Sequence, residues 1–146
     1  KKVVLNPAPA SELSSRLLGS LFAITPNETE AEKISGIRIT DEASAEYAAR
    51  RIASMGVRNV IVTLGVRGAL VFDGEHCERI PAYEMQAVDT TAAGDIFNGA
   101  FVVALSEGRS LPEAVRFACK ASAISVTRVG AQSSAPYRTE VDIFNR

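Results

Sequence analysis

Apolar residues in this chain fall into short runs separated by stretches where they recur every three or four positions, a pattern that predicts strands alternating with helices. Val3, Val4 and Leu5 give a first buried strand, stopped by Asn6-Pro7-Ala8-Pro9 because proline lacks a backbone donor and holds the preceding residue extended. Ser11 is placed to cap a helix carrying Leu13, Leu17 and Leu18 up to Gly19, and Phe22, Ala23, Ile24 and Thr25 give a second strand. A helix opening at Asn27 follows. Thr40-Asp41 then caps another, with Ala45, Ala48, Ala49 and Ile52 on one face, closed by Gly56. Residues 59–64 read as a buried strand that turns through Gly65-Val66-Arg67-Gly68 into Ala69-Leu70-Val71-Phe72, and Asp73-Gly74-Glu75 turns again into residues 76–80. Residues 84–88 have the look of a further strand. Phe97, Ala100, Phe101, Ala104 and Leu105 recur at helical spacing until Gly108, and Ser110 with Glu113 opens a helix of small residues. A short helix over 139–144 ends the chain. Strands separated by helices need crossover connections, so the expected class is α/β, with a mainly parallel sheet, helices on both faces and a β-hairpin near residues 60–80.

The stretch from Asp89 to Asp95, Asp-Thr-Thr-Ala-Ala-Gly-Asp, lies where the predicted strand passes into the Phe97 helix. A helix N-terminus offers free N–H groups and a partial positive charge, and Ala92, Ala93 and Gly94 lack the bulk to keep an anion away. A phosphate fits there, and Asp95 is placed as a base for a hydroxyl that attacks it. An acid in a first turn is commonly only favourable to the helix dipole. Two such acids flanking a run of small residues favour the functional reading. Asn27 and Glu30 have the spacing of a capping box, which needs no ligand. The turn 65–68 has the composition of any strand connection.

Composition adds exclusions. The chain has 146 residues, 47% hydrophobic and 23% charged, enough for one domain with a real core. A net charge of −1 without a basic block argues against a nucleic-acid or membrane surface, leaving a small-molecule partner. Cys77 and Cys119 make no disulfide or metal framework, and nothing reads as a signal peptide, so a cytoplasmic location is expected. His76, the only histidine, stands beside a turn with no partner for catalysis. Neither glycine-containing loop fits a Walker A or Rossmann fingerprint.

The run Asp89-Thr90-Thr91-Ala92-Ala93-Gly94-Asp95 resembles the signature of the ribokinase family of carbohydrate kinases, which more often has glycine at the position of Ala92. Asn27-Glu28-Thr29-Glu30 is similar to the family's Asn-x-x-Glu motif, and Thr63 to Gly68 to its Thr-Leu-Gly-x-x-Gly segment. The resemblance implies a three-layer fold and ATP-dependent transfer of phosphate to the hydroxymethyl group of a sugar, with ribose the expected acceptor. It further implies Asp95 as base with Ala92, Ala93 and Gly94 as anion site. Nucleotide contacts follow at Asn27, Thr63, Leu64, Gly65, Val66, Arg67, Gly68, Gly94, Asp95 and Cys119. Asn27 and Glu30 would serve Mg²⁺ through water, and Asp89, Thr91, Ser125, Arg128, Gly130 and Ser134 would hold K⁺, with Ser125 and Arg128 giving only carbonyl oxygen. The family's glycine-rich sugar-binding motif and β lid have no counterpart here, so residues 1–146 are expected to be one α/β domain, the C-terminal ATP-binding half of such a kinase. The isolated chain is expected to form homo-oligomers. A non-catalytic nucleotide- or phosphate-binding fragment and a kinase of another sugar or nucleoside are the alternatives.

Overall fold

A computed structural model describes residues 1–144, which separate into two compact units. The first, residues 1–65 with 69–79, carries a sheet whose strand order is β1 (Val4–Leu5), β2 (Ala23–Ile24), β3 (Asn59–Thr63), β4 (Ala69–Phe72) and β5 (Cys77–Ile80, its last residue belonging to the second unit). β1, β2 and β3 are parallel, in the register Val4 to Ala23 and Ala23 to Asn59; β4 returns antiparallel, Val60 opposite Phe72 and Thr63 opposite Ala69. The sheet is therefore mixed and the expected hairpin is present. Val60, Val62, Leu70 and Phe72 pack with Leu18, Ile24, Ala45, Ala49 and Ile52 in one core, while Ile61, Ala69 and Val71, on the alternate positions, are buried as well. These strands are covered on both faces, as continuous apolar runs require.

Three helices belong to this unit: α1 (Ser15–Ser20), α2 (Glu28–Ser35) and α3 (Glu42–Ala53). Asp41 caps α3 by accepting the Ser44 N–H at 2.8 Å, and the alanine face at 45, 48 and 49 lets the helix sit close to β3 and β4. The cap of α1 differs from expectation. It is Ser14, whose Oγ accepts the Leu17 N–H at 3.2 Å, so the helix begins after Leu13, which instead packs beside the core. Of several closely spaced serines, the one that caps is the one whose helix then buries Leu18.

The second unit, residues 66–68 and 80–144 of those described, contains α4 (Ala93–Ser106), α5 (Leu111–Ser125) and α6 (Arg138–Ile143). α4 and α5 pack along their lengths through Phe97, Phe101, Ala104, Ala114, Ala118 and Ala121, whose small members allow close approach. Residues 84–88 do not form the expected strand. They run as irregular chain, with Val88 63% exposed, and the N–H groups of Val88 and Asp89 both go to the Val126 carbonyl, at 2.7 and 3.1 Å, instead of to a ladder. A strand exists only where a neighbour takes its hydrogen bonds, and composition does not supply that neighbour. No helix of the described residues is long and apolar enough to cross a membrane.

Candidate functional site

In the first unit, β2 and β3 are parallel neighbours, so the residues that leave their C-terminal ends emerge along one sheet edge, the usual place for ligands. The Thr63 N–H donates to the Pro26 carbonyl at 2.9 Å and Thr63 bridges to Asn27, which brings two distant candidate residues side by side. Asn27 Oδ1 accepts the Glu30 N–H at 2.9 Å, and the Asn27 N–H donates to Glu30 Oε2 at 2.8 Å. The capping box is real. It commits Asn27 Oδ1 and one oxygen of the buried Glu30 to the fold. No group of three acidic, histidine or cysteine residues gathers to hold a metal among the described residues. A single acid suits Mg²⁺, which keeps most of its water and rarely takes an all-protein cage.

Leu64 is buried at the end of β3, and Gly65, Val66 and Arg67 form one 3-10 turn with Val66 95% exposed. Gly68 has φ +92°, and a Cβ there would lie 2.0 Å from the Ile80 carbonyl oxygen, so the approach of residues 80–82 alone demands glycine. Its presence is not evidence of a ligand.

The second unit holds the Asp89–Asp95 run. Asp89 Oδ1 accepts the Thr91 N–H and Oδ2 the Gly130 N–H, each at 2.8 Å. The Thr91 hydroxyl first, then these two N–H groups, hold the Asp89 carboxyl down at about 2. Asp89 thus ties the turn before α4 to the loop after α5. That loop carries the other expected cation residues: Ser125 and Ser134 are buried, the Ser125 carbonyl accepts the Arg128 N–H at 3.0 Å, and Gly130 has φ +93°. Its donors are oxygens with one negative charge among them, which fits a hard monovalent cation. Cys119 is buried on α5, and burial pushes its thiol up to about 12.

At the start of α4, Ala92 sits at N-cap with φ 61° and ψ 9°, the left-handed region that costs an alanine about 1 kcal/mol. This explains the family's preference for glycine there, which the backbone contact alone does not. The Ser122 hydroxyl donates to the Ala93 carbonyl at 3.2 Å and the Asn98 amide to the Gly94 carbonyl at 2.9 Å, fixing both peptide units. Four other helices use their third residue to close the N-terminus: Glu30, Ser44, Glu113 and Glu140 each reach back to the cap N–H. Asp95 holds the same position in α4 and makes no return bond, nor does Ala92 have a side chain that can cap. The Ala93 N–H donates to the Thr90 carbonyl at 3.2 Å, and the next amides, of Gly94 and Asp95, are left to a ligand or water. Gly94 is exposed, and a Cβ on it would meet nothing within 4 Å, so the chain's own packing does not ask for glycine.

Two participants lie outside the set read from sequence. The Val126 carbonyl receives the amides of Val88 and Asp89, and Glu140 binds the Arg128 guanidinium. No local spacing signals either, since both partnerships join distant segments.

With this geometry in view, residues 1–138 match the family described as pfkB family carbohydrate kinase. The chain belongs to this family. Ribokinase of Haemophilus influenzae is 52% identical over 139 residues, covering 95% of this chain and 45% of that protein. The structure of Arabidopsis thaliana ribokinase complexed with ribose and ATP has a TM-score of 0.87 at 34% identity, covering 96% of this chain and 46% of the other. Phosphofructokinase-2 from Escherichia coli, in a structure with potassium, has a TM-score of 0.83 at 26% identity, covering 97% and 45%. The chain spans about half the length of the pfkB family relatives it matches.

Proposed function

We propose that this chain is the ATP-binding half of a sugar kinase and that Asp95 is its catalytic base. The observation that carries the proposal is the amino end of α4, where no side chain closes the cap and the acid at the third position makes no return bond. In the reaction, the sugar hydroxymethyl O–H gives its proton to the Asp95 carboxylate while its oxygen bonds to the γ-phosphorus. The bond from that phosphorus to the β-phosphate oxygen breaks, and ADP leaves with the electron pair. The amides of Ala92, Ala93 and Gly94 offset charge building on the transferring oxygens. Asn27 and Glu30 would hold Mg²⁺ through water, and Thr63 to Gly68 would contact the nucleotide. Cys119, a neutral buried thiol, gives an apolar contact to the base. Asp89, Thr91, Ser125, Arg128, Gly130 and Ser134 would hold K⁺. When bound, Mg²⁺ and K⁺ supply positive charge that lowers the cost of the phosphoryl group's negative charge.

Ribose is the acceptor favoured by the identity to ribokinase, and the similarity to phosphofructokinase-2 supports another sugar as the second reading. The chain alone should bind ATP weakly and release no ADP with ribose, because holding the acceptor in attack geometry is worth about 7–11 kcal/mol and the family's glycine-rich sugar-binding motif has no counterpart in this sequence. The test is calorimetric titration of ATP into the wild type and Gly94→Ala. Since the added methyl has open space, the fold is kept, while affinity should fall about tenfold, roughly one charge-assisted hydrogen bond. Equal affinity, or ribose-dependent ADP release by the wild-type chain, overturns the proposal.

A further inference from the structure

The loop after α5 is held from two sides. Asp89 takes its Gly130 amide, and at Arg128 the hold comes from α6: the guanidinium binds Glu140 through Nη2 to Oε1 and through Nη1 to Oε2, the latter at 3.4 Å. Glu140 is itself fixed, because Oε2 also accepts the Tyr137 N–H at 2.7 Å in the cap of α6. The Arg128 N–H is bound to the Ser125 carbonyl, so residue 128 is restrained through both backbone and side chain. The pair raises the Arg128 pKa and lowers that of Glu140, each through the hydrogen bond between them first. Both side chains are about one-third exposed, 34% and 35%, so the pair adds little to stability by itself. Its geometry is two-point, which limits rotation of the arginine more than a single contact does.

We propose that Glu140 is a positioning residue for the cation loop: by holding the Arg128 side chain against α6 it fixes the Arg128 carbonyl and so makes the loop prefer K⁺ to the smaller Na⁺. The inference rests on the K⁺ reading given above. Carbonyl sites distinguish the two ions by how many oxygens are held, and how firmly, at the larger ion's distance. A loop freed at residue 128 can close on the smaller ion. Glu140 also cancels the guanidinium charge, and the two roles are separable. Glu140→Gln removes the charge and keeps an acceptor for the Tyr137 amide; Arg128→Met removes anchor and charge together.

The measurement is the thermal midpoint of the 146-residue chain titrated with KCl or NaCl at constant ionic strength, without substrate. Wild type should gain stability with K⁺ beyond Na⁺. Both variants should need about threefold or more K⁺ for half the gain, the scale for residues acting through a hydrogen-bonded chain. A role in folding only would lower the midpoint equally in both salts and leave the half-saturating K⁺ unchanged, which overturns the proposal. An Arg128→Met chain with unchanged or tighter K⁺ response overturns it too, because charge cancellation would then be the whole effect. If wild type responds equally to both salts, the K⁺ reading falls and this inference with it; a normal wild-type response with unchanged variants removes only Glu140.

Discussion

The amino ends of α2 and α4 carry an acid at the same helical position, Glu30 and Asp95, and use it in opposite ways. Glu30 folds back on the Asn27 amide and is nearly buried. Asp95 is exposed and leaves its cap alone. Where an acid closes its own helix, its presence is already explained by the fold, and losing it cannot separate structure from function. Where the helix is left open, the fold accounts for the acid only through the helix dipole, and a ligand can use what the cap does not. Gly68 and Gly94 divide in the same way: the first is required by residues 80–82 and the second by no neighbour.

The contrast predicts where damage should appear. In an active enzyme containing these residues, Asp95→Asn should lower turnover by ~10²-fold or more while the urea midpoint stays put. Turnover near wild type removes Asp95 as base. Asn27→Ala should do the reverse at the first level of measurement, lowering unfolding free energy by about 1 kcal/mol through the lost cap. An unchanged urea curve would show that the cap contributes nothing, and the two helix ends would no longer differ.

The smallest effect is expected at Asp89, whose carboxyl is held below its ordinary value of 3.8, at about 2. A lowered folded pKa gives stability that is fully present above the unfolded value and is lost as pH falls through the folded one. Acid unfolding of wild type and Asp89→Asn should therefore differ above about pH 4 and converge as pH drops toward about 2. Curves separated by a constant amount across that window would show that the carboxylate's charge is not what the Thr91 and Gly130 donors recognise.

What sequence made legible was local. The Asn27 and Glu30 cap, the 59–72 hairpin and the Phe97–Leu105 periodicity each depend on residues within a few positions of one another, and each is present. The misses depend on partners far along the chain. Residues 84–88 have strand composition, but the amides of Val88 and the following Asp89 go to Val126, and the choice of Ser14 over Ser11 turns on which helix buries Leu18. The left-handed Ala92 was hidden because alanine carries no preference for that conformation, although the glycine of its relatives hinted at it. The candidate cation loop was readable only by resemblance, since its oxygens are main-chain groups that any sequence has.

Cys77 and Cys119 have a use for the experimenter. Burial is the main reason their thiols stay protonated, at about 11 and about 12, so at neutral pH neither holds an appreciable fraction of the reactive thiolate. They are the two cysteines of the sequence. A third, introduced on the exposed first turn of α4, would take a maleimide dye ahead of both, giving a single-site fluorescent reporter without first stripping the native sulfur.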